Sequence, residues 1–250
     1  MKKENKRIFW STIIYTMLSA VIIYSGIQIY NWYKDNKYNN DIKEKTNSAV
    51  IINDSNTYGE KKYTVNFNSL KSQNSDTVAW IKLKNTKIEY PVVKSKDNEF
   101  YLNHSFDKSN NTAGWVFADY KNKFDGTDKN IVIYGHNRKD KSMFGSLKNV
   151  LTPDWYNIEE NANIVFITEN EKCIYKVFSV YQIEKESYYI KTQFNNDSEY
   201  KKFIKTIKER SIKNFKTDVS KNDSILTLST CAGNDKDRIV LHAKKYSIYE

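Results

Sequence analysis

The run Thr227-Leu228-Ser229-Thr230 ends in Cys231, and Arg238 follows seven residues later. A polar loop, Ala232 to Asp237, separates them, and a second apolar run, Ile239-Val240-Leu241, comes next. Paired antiparallel, the two runs put Cys231 at the exit of one strand and Arg238 at the entry of the next. Upstream, the β-branched run Ile131-Val132-Ile133-Tyr134-Gly135 delivers His136 at its end. These three residue types at strand ends suit acyl transfer. A thiolate is the nucleophile, and adjacent positive charge favours it. Histidine moves the proton. Arginine keeps its proton throughout and can donate to a developing oxyanion.

Each of the three has a bland counterpart. A free cysteine often acts as a small buried hydrophobe, and that is our reading of Cys173, in the strand-like run Cys173-Ile174-Tyr175-Lys176-Val177-Phe178. We read the two cysteines as unpaired, because an exported domain stapled by disulfides carries more of them. His242 sits inside the last strand run, facing away from Leu241, and is read as structural or solvent-facing. His104 follows Tyr101-Leu102-Asn103 and is given a surface role. Asp235 and Asp237 are local to the loop, are read as solvating it, and could pair with Arg238 on the surface. No carboxylate stands out as a third member of a triad.

Short β-rich runs must position these groups. They are Val78–Ile81, Ile88–Val93, Trp115–Phe117, Ile131–Tyr134, Asn163–Thr168, Ile174–Ile183, Ile225–Ser229 and Arg238–Ala243. About eight strands with polar turns predict an antiparallel sandwich or barrel. One helix interrupts them: Tyr200, Phe203, Ile204 and Ile207 fall at i, i+3, i+4 and i+7 and form one apolar stripe. Asn196 is its expected N-cap, with Glu199 three residues on, and the stripe should pack on the outside of the sheet. A shorter helix is expected over Asn66–Asn74, with Phe67 and Leu70 on one side.

The N-terminus carries a different signal. Ile8 to Tyr30 is 23 residues without a charge, about 34 Å as a helix and enough for a bilayer core of about 30 Å. It is too long for a signal-peptide core, and Gly26-Ile27-Gln28 is a poor cleavage site. Trp10, Tyr30, Trp32 and Tyr33 flank it as interface anchors do. Lys2, Lys3, Lys6 and Arg7 outweigh Glu4 before it, so the positive-inside rule keeps that tail in the cytoplasm. The expected organisation is therefore a cytoplasmic tail over 1–7, a transmembrane anchor over 8–30, a polar, partly helical stalk over 31–60 and an extracytoplasmic catalytic domain over 61–250. The chain of 250 residues has a formal net charge of +10, which suits a surface beside anionic lipid or an anionic envelope polymer. An exported domain without a basic-aromatic recognition pattern is a poor nucleic-acid partner.

The Thr227–Cys231 run with Arg238 resembles the TLxTC…R signature of the sortases, membrane-anchored cysteine transpeptidases of Gram-positive bacteria. Ile133-Tyr134-Gly135-His136 matches that family's histidine strand. The resemblance runs from about Ser69 to Lys245 and is of the class B kind. It rests on Asn74-Ser75-Asp76 with Ala79-Trp80-Ile81, on Tyr90-Pro91-Val92, on Tyr101-Leu102-Asn103, on Met143-Phe144, on the helix before the last two strands and on Ser229. It implies a mainly β fold, a closed eight-stranded barrel with peripheral helices. Catalysis is implied for Cys231, His136 and Arg238, and substrate contact for Leu102, Asn103, Tyr134, Tyr189, Ile190 and Ser229, with Thr192 a further candidate. The chain departs from some class B members at Ala232, where they carry an acidic residue, and its loop to Arg238 is short.

The activity so implied cleaves a C-terminal sorting motif after threonine and forms a thioester at Cys231. It then transfers the secreted protein to an amine of a peptidoglycan precursor at the cell membrane. No cofactor and no metal are expected. Two other readings stay open: a hydrolytic cysteine peptidase with the same residues, and a non-catalytic membrane-tethered wall-binding module. A pilus-polymerising enzyme would need a long lid before the histidine strand, and the sequence has none.

Overall fold

The computed structural model describes residues 2–54, 61–184, 186–231 and 237–248; at Cys231 it describes the backbone. A single helix, α1, runs unbroken over Lys2–Asn47. It is followed by a hairpin of β1 (Val50–Asp54) and β2 (Lys61–Val65), then by α2 (Phe67–Gln73). The remaining strands are β3 (Thr77–Leu83), β4 (Glu89–Val93), β5 (Phe117–Ala118), β6 (Asn130–Tyr134), β7 (Asn163–Ile167), β8 (Lys172–Glu184), β9 (Ile225–Cys231) and β10 (Asp237–Ile248). Two more helices, α3 (Pro153–Tyr156) and α4 (Asp197–Glu209), decorate them.

β3 to β10 close into an eight-stranded barrel in the order β10-β8-β7-β3-β4-β5-β6-β9. Closure removes the sheet edges that an open sheet would expose. The barrel is mixed rather than antiparallel, because β4 pairs parallel with β5 and β6 parallel with β9. Its interior is filled by alternate residues such as Ile81, Leu83, Val92, Ile133, Ile164, Phe166, Leu226, Leu228 and Leu241, all buried.

Outside the barrel, α4 lays Tyr200, Phe203, Ile204 and Ile207 over Phe178, Tyr181 and Val240. β8 and β10 are thus covered on both faces here. Asn196 caps this helix by accepting from Glu199 N at 3.0 Å, and the Glu199 carboxylate reaches back to Asn195 N at 2.7 Å. The expected α2 also forms, with Asn66 as its cap.

Only α1 is long and apolar enough to cross a membrane, among the described residues and by length and composition. Its second half is not a free stalk. Asn36, Asn39 and Thr46 are buried against the barrel, and Asn39 Nδ2 donates to Gly114 O at 3.0 Å.

Candidate active site

The parallel pairing of β6 with β9 sends both strands out of the same end of the barrel. Their last registered pair is Tyr134↔Ser229. Two residues beyond that pair lie His136, just past the end of β6, and Cys231, the last residue of β9. β10 then returns antiparallel to β9, with Arg238 directly opposite Cys231. The expected neighbourhood of Cys231 and Arg238 is therefore met in the backbone register.

A cleft of about 850 Å³ opens at this end. His136, Tyr134, Gly135, Leu102, Ser229, Thr230, Tyr189, Ile190 and Arg238 all line it. Asn103 and Thr192 are not among the lining residues; Asn103 is exposed and accepts from Asn111 N at 2.9 Å through its carbonyl. The Cys231 thiol, Ala232 and Asp235 lie outside the described residues and atoms. Arg238 is half-buried, and its Nη1 donates to Asp237 O at 3.0 Å.

His136 is held by backbone on two sides. Its Nε2 lies 2.7 Å from Leu102 O. A carbonyl only accepts, so Nε2 is the donor, and Nδ1 remains to exchange a proton with a substrate. The His136 carbonyl accepts from Phe144 N at 3.0 Å and Arg138 N at 3.1 Å, which fixes the turn. Two glycines make this close fit possible. Gly114, with φ of +59°, sits where a Cβ would come within 2.9 Å of His136 Cδ2 and 2.7 Å of Leu102 O. Gly135 lies under the buried Phe144 ring, where a Cβ would come within 2.7 Å of Cγ.

The cleft floor contains a network that no sequence motif announces. Asp119 is almost fully buried, and its Oδ2 accepts from Tyr134 OH at 2.8 Å and Asn98 Nδ2 at 2.9 Å. Burial first, and then the Asp119 charge, hold the Tyr134 phenol protonated far above its usual range. Asn98 itself lines the cleft. A lone aspartate after Phe117-Ala118 carries no motif; only its burial marks it. Beside Tyr134, on the neighbouring strand β9, Ser229 Oγ lies 3.1 Å from Tyr189 OH.

The other histidines are accounted for. His104 stacks on Phe100, with ring centroids 3.9 Å apart, and its Nδ1 meets Phe100 O at 2.7 Å. His242 is fully buried on the outer face of β10, packed against Phe178, Tyr181 and Phe203. It is structural, not solvent-facing, and burial depresses its pKa to about 3. Cys173 is a free buried thiol, pushed up to about 12 mainly by burial. Asp237 accepts from Gln182 Nε2 at 3.2 Å. Among the described residues no cluster of three or more His, Cys, Asp or Glu is placed to hold a metal ion.

Comparison with known proteins gives this architecture relatives. The sortase-domain family model matches residues 81–246. Sortase B of Listeria monocytogenes is 33% identical over 230 residues, covering 90% of this chain and 92% of that one. A Staphylococcus aureus sortase B–substrate complex is similar with TM-score 0.69 and 35% identity, over 73% of this chain and 85% of that one. Sortase B complexed with triglycine is similar with TM-score 0.69 and 35% identity, over 73% and 86%.

Proposed function

The chain belongs to the sortase family, of the class B kind, and from that premise we propose that it is a cysteine transpeptidase anchoring secreted proteins to the cell wall. One observation carries the reading: His136, Arg238 and Thr230 line a single cleft, and β9 leads to Cys231 opposite Arg238 in register. The sortase B relatives seen with a substrate and with triglycine support a peptide donor and an amine acceptor.

In the first step the Cys231 thiolate attacks the carbonyl carbon of the threonine in a sorting motif. Arg238 donates to the oxyanion. As the peptide C–N bond breaks, His136 gives a proton to the leaving amine, and a thioester on Cys231 remains. In the second step His136 takes a proton from an incoming amine of a peptidoglycan precursor. That nitrogen attacks the thioester, the C–S bond breaks, and a new amide leaves with the thiolate restored. The thioester keeps the acyl group reactive until an amine arrives. Leu102, Tyr134, Tyr189, Ile190 and Ser229 are the proposed peptide contacts on the cleft wall, with Asn103, the residue after Leu102, as a sixth proposed contact.

Residues 1–7 form a cytoplasmic tail and 8–30 the anchor, and the catalytic domain, 61–250, works outside, where donor and wall precursor meet. The test uses the full chain in nonionic detergent micelles with NPxTx, LPxTx and SPxTx peptides. Intact mass should show an adduct equal to the motif's N-terminal fragment, absent in Cys231→Ala. No adduct with any peptide refutes the reading and favours a binding module.

A further inference from the structure

We propose that the first docked turns of α1, Trp32 to Asn39, are a positioning element of the active site that holds the seat of His136. The proposal rests on the catalytic reading above. Trp32, Asn36 and Asn39 fall at i, i+4 and i+7 and so share one helix face. Because α1 is unbroken, this face continues the apolar segment directly. At 1.5 Å per residue, Trp32 lies about 3 Å and Asn39 about 14 Å beyond residue 30.

The face grips both sides of His136. On one side, Arg138 Nη2 donates to Asn36 Oδ1, and the guanidinium lies 5.9 Å from the centre of the Trp32 ring. Arg138 stands two residues after His136 and donates its own N–H to the His136 carbonyl. On the other side, Asn39 Nδ2 donates to Gly114 O at 3.0 Å and to Asn111 Oδ1 at 3.3 Å, while Ser105 Oγ donates to Asn39 Oδ1. Asp35 adds to this grip, accepting from Thr112 N at 3.0 Å and, through its carbonyl, from Asn111 Nδ2 at 3.1 Å. Gly114 packs beside both the His136 ring and Leu102 O, the acceptor of Nε2, so closely that neither leaves room for a Cβ there. Asn39, Asn111 and Ser105 are almost fully buried. A helix that served only as a tether would not need buried asparagines to reach this loop. Polar groups so buried have defined partners and defined positions.

The experiment compares the unaltered full chain with Asn36→Ala/Asn39→Ala and with Lys43→Gln, all in nonionic detergent micelles. Lys43 is a contact of the same helix elsewhere: its Nζ donates to Lys87 O at 2.9 Å and lies 4.1 Å from the Tyr90 ring centre. Two readouts are taken. In peptide-to-amine transfer, the double variant should lose ten- to a hundredfold in kcat, the scale of a proton-transfer group misplaced by about 1 Å, with KM for peptide within about twofold. Lys43→Gln should keep kcat within about twofold while lowering the melting temperature. In hydrogen exchange, amides of 102–114 and 136–144 should exchange about tenfold faster in the double variant, the effect of about one lost hydrogen bond, and not in Lys43→Gln. Unchanged exchange, or equal loss of kcat in both variants, overturns the proposal. If the unaltered chain transfers nothing, the catalytic reading fails, and hydrogen exchange alone still decides whether the helix braces the His136 seat.

Discussion

Acidification should destabilise this protein through His242 before most carboxylates titrate. The side chain sits in a chain of hydrogen bonds whose directions are fixed at one end. Asn130 Nδ2 donates to Lys191 O at 2.9 Å, so Asn130 Oδ1 faces Thr227 and accepts its hydroxyl at 2.7 Å. Thr227 Oγ1 must then accept from His242 Nδ1, 2.8 Å away. Nε2 is left as the acceptor of Tyr181 OH at 2.8 Å, and Tyr181 in turn accepts from Tyr188 OH at 3.0 Å. A neutral imidazole satisfies every bond, whereas a second ring proton would point at a hydroxyl already committed as a donor. Burial, which penalises the charged ring, holds the folded pKa at about 3 against an ordinary value of 6.5. Between those values the unfolded chain binds a proton that the folded chain refuses, so stability falls as pH falls through this window. The slope approaches about 1.4 kcal/mol per pH unit. Between pH 7 and pH 4.5 the loss should reach about 2–3 kcal/mol. The assay is chemical denaturation followed by tryptophan fluorescence, on the full chain in detergent, for the parent and His242→Gln. Glutamine keeps one donor and one acceptor but does not titrate. It should be less stable at pH 7, with a flatter profile down to pH 4.5; taking the difference cancels the carboxylates common to both. Parallel profiles would refute the argument.

Two further outcomes follow from other parts of the structure. Asp119→Ala strands the Tyr134 hydroxyl and the Asn98 amide at the cleft floor; it should cost about 1–3 kcal/mol in denaturation and raise KM for peptide, and an unchanged KM would show that this network does not shape the cleft. Iodoacetamide at pH 8 should label Cys231 and spare Cys173 in the folded chain, because only thiolates react and burial pushes Cys173 up to about 12; peptide mapping that finds Cys173 labelled at a comparable rate would contradict its inert role.

Much of the barrel could be read from the chain because its strands alternate. Leu226 and Leu228 point inward while Thr227 and Ser229 do not, and the Cys231–Arg238 pairing needs only one local loop. The parallel contact of β6 with β9 joins segments almost a hundred residues apart, and no local pattern encodes it. It is nonetheless what brings His136 level with Cys231. The β1–β2 hairpin is hard to see in the chain because its residues alternate weakly and Ile51 and Ile52 are exposed. The docking of α1 is hidden for another reason: Asn36 and Asn39 read as solvated polar residues, and their burial depends on partners at 105–114 and 138. Asp119 is invisible in the same way, since a buried carboxylate differs from a surface one only in its surroundings.

Product partition separates acyl transfer to an amine through Cys231 from hydrolysis at the same residue. The full chain in micelles is given a peptide that forms the Cys231 adduct, with and without triglycine, and products are followed by mass spectrometry. A transpeptidase cleaves after threonine and gives an amide product that grows with triglycine at the expense of the free acid, and both products are lost in Cys231→Ala. Cleavage that yields only free acid at every triglycine concentration would contradict the proposed transfer and identify a hydrolase.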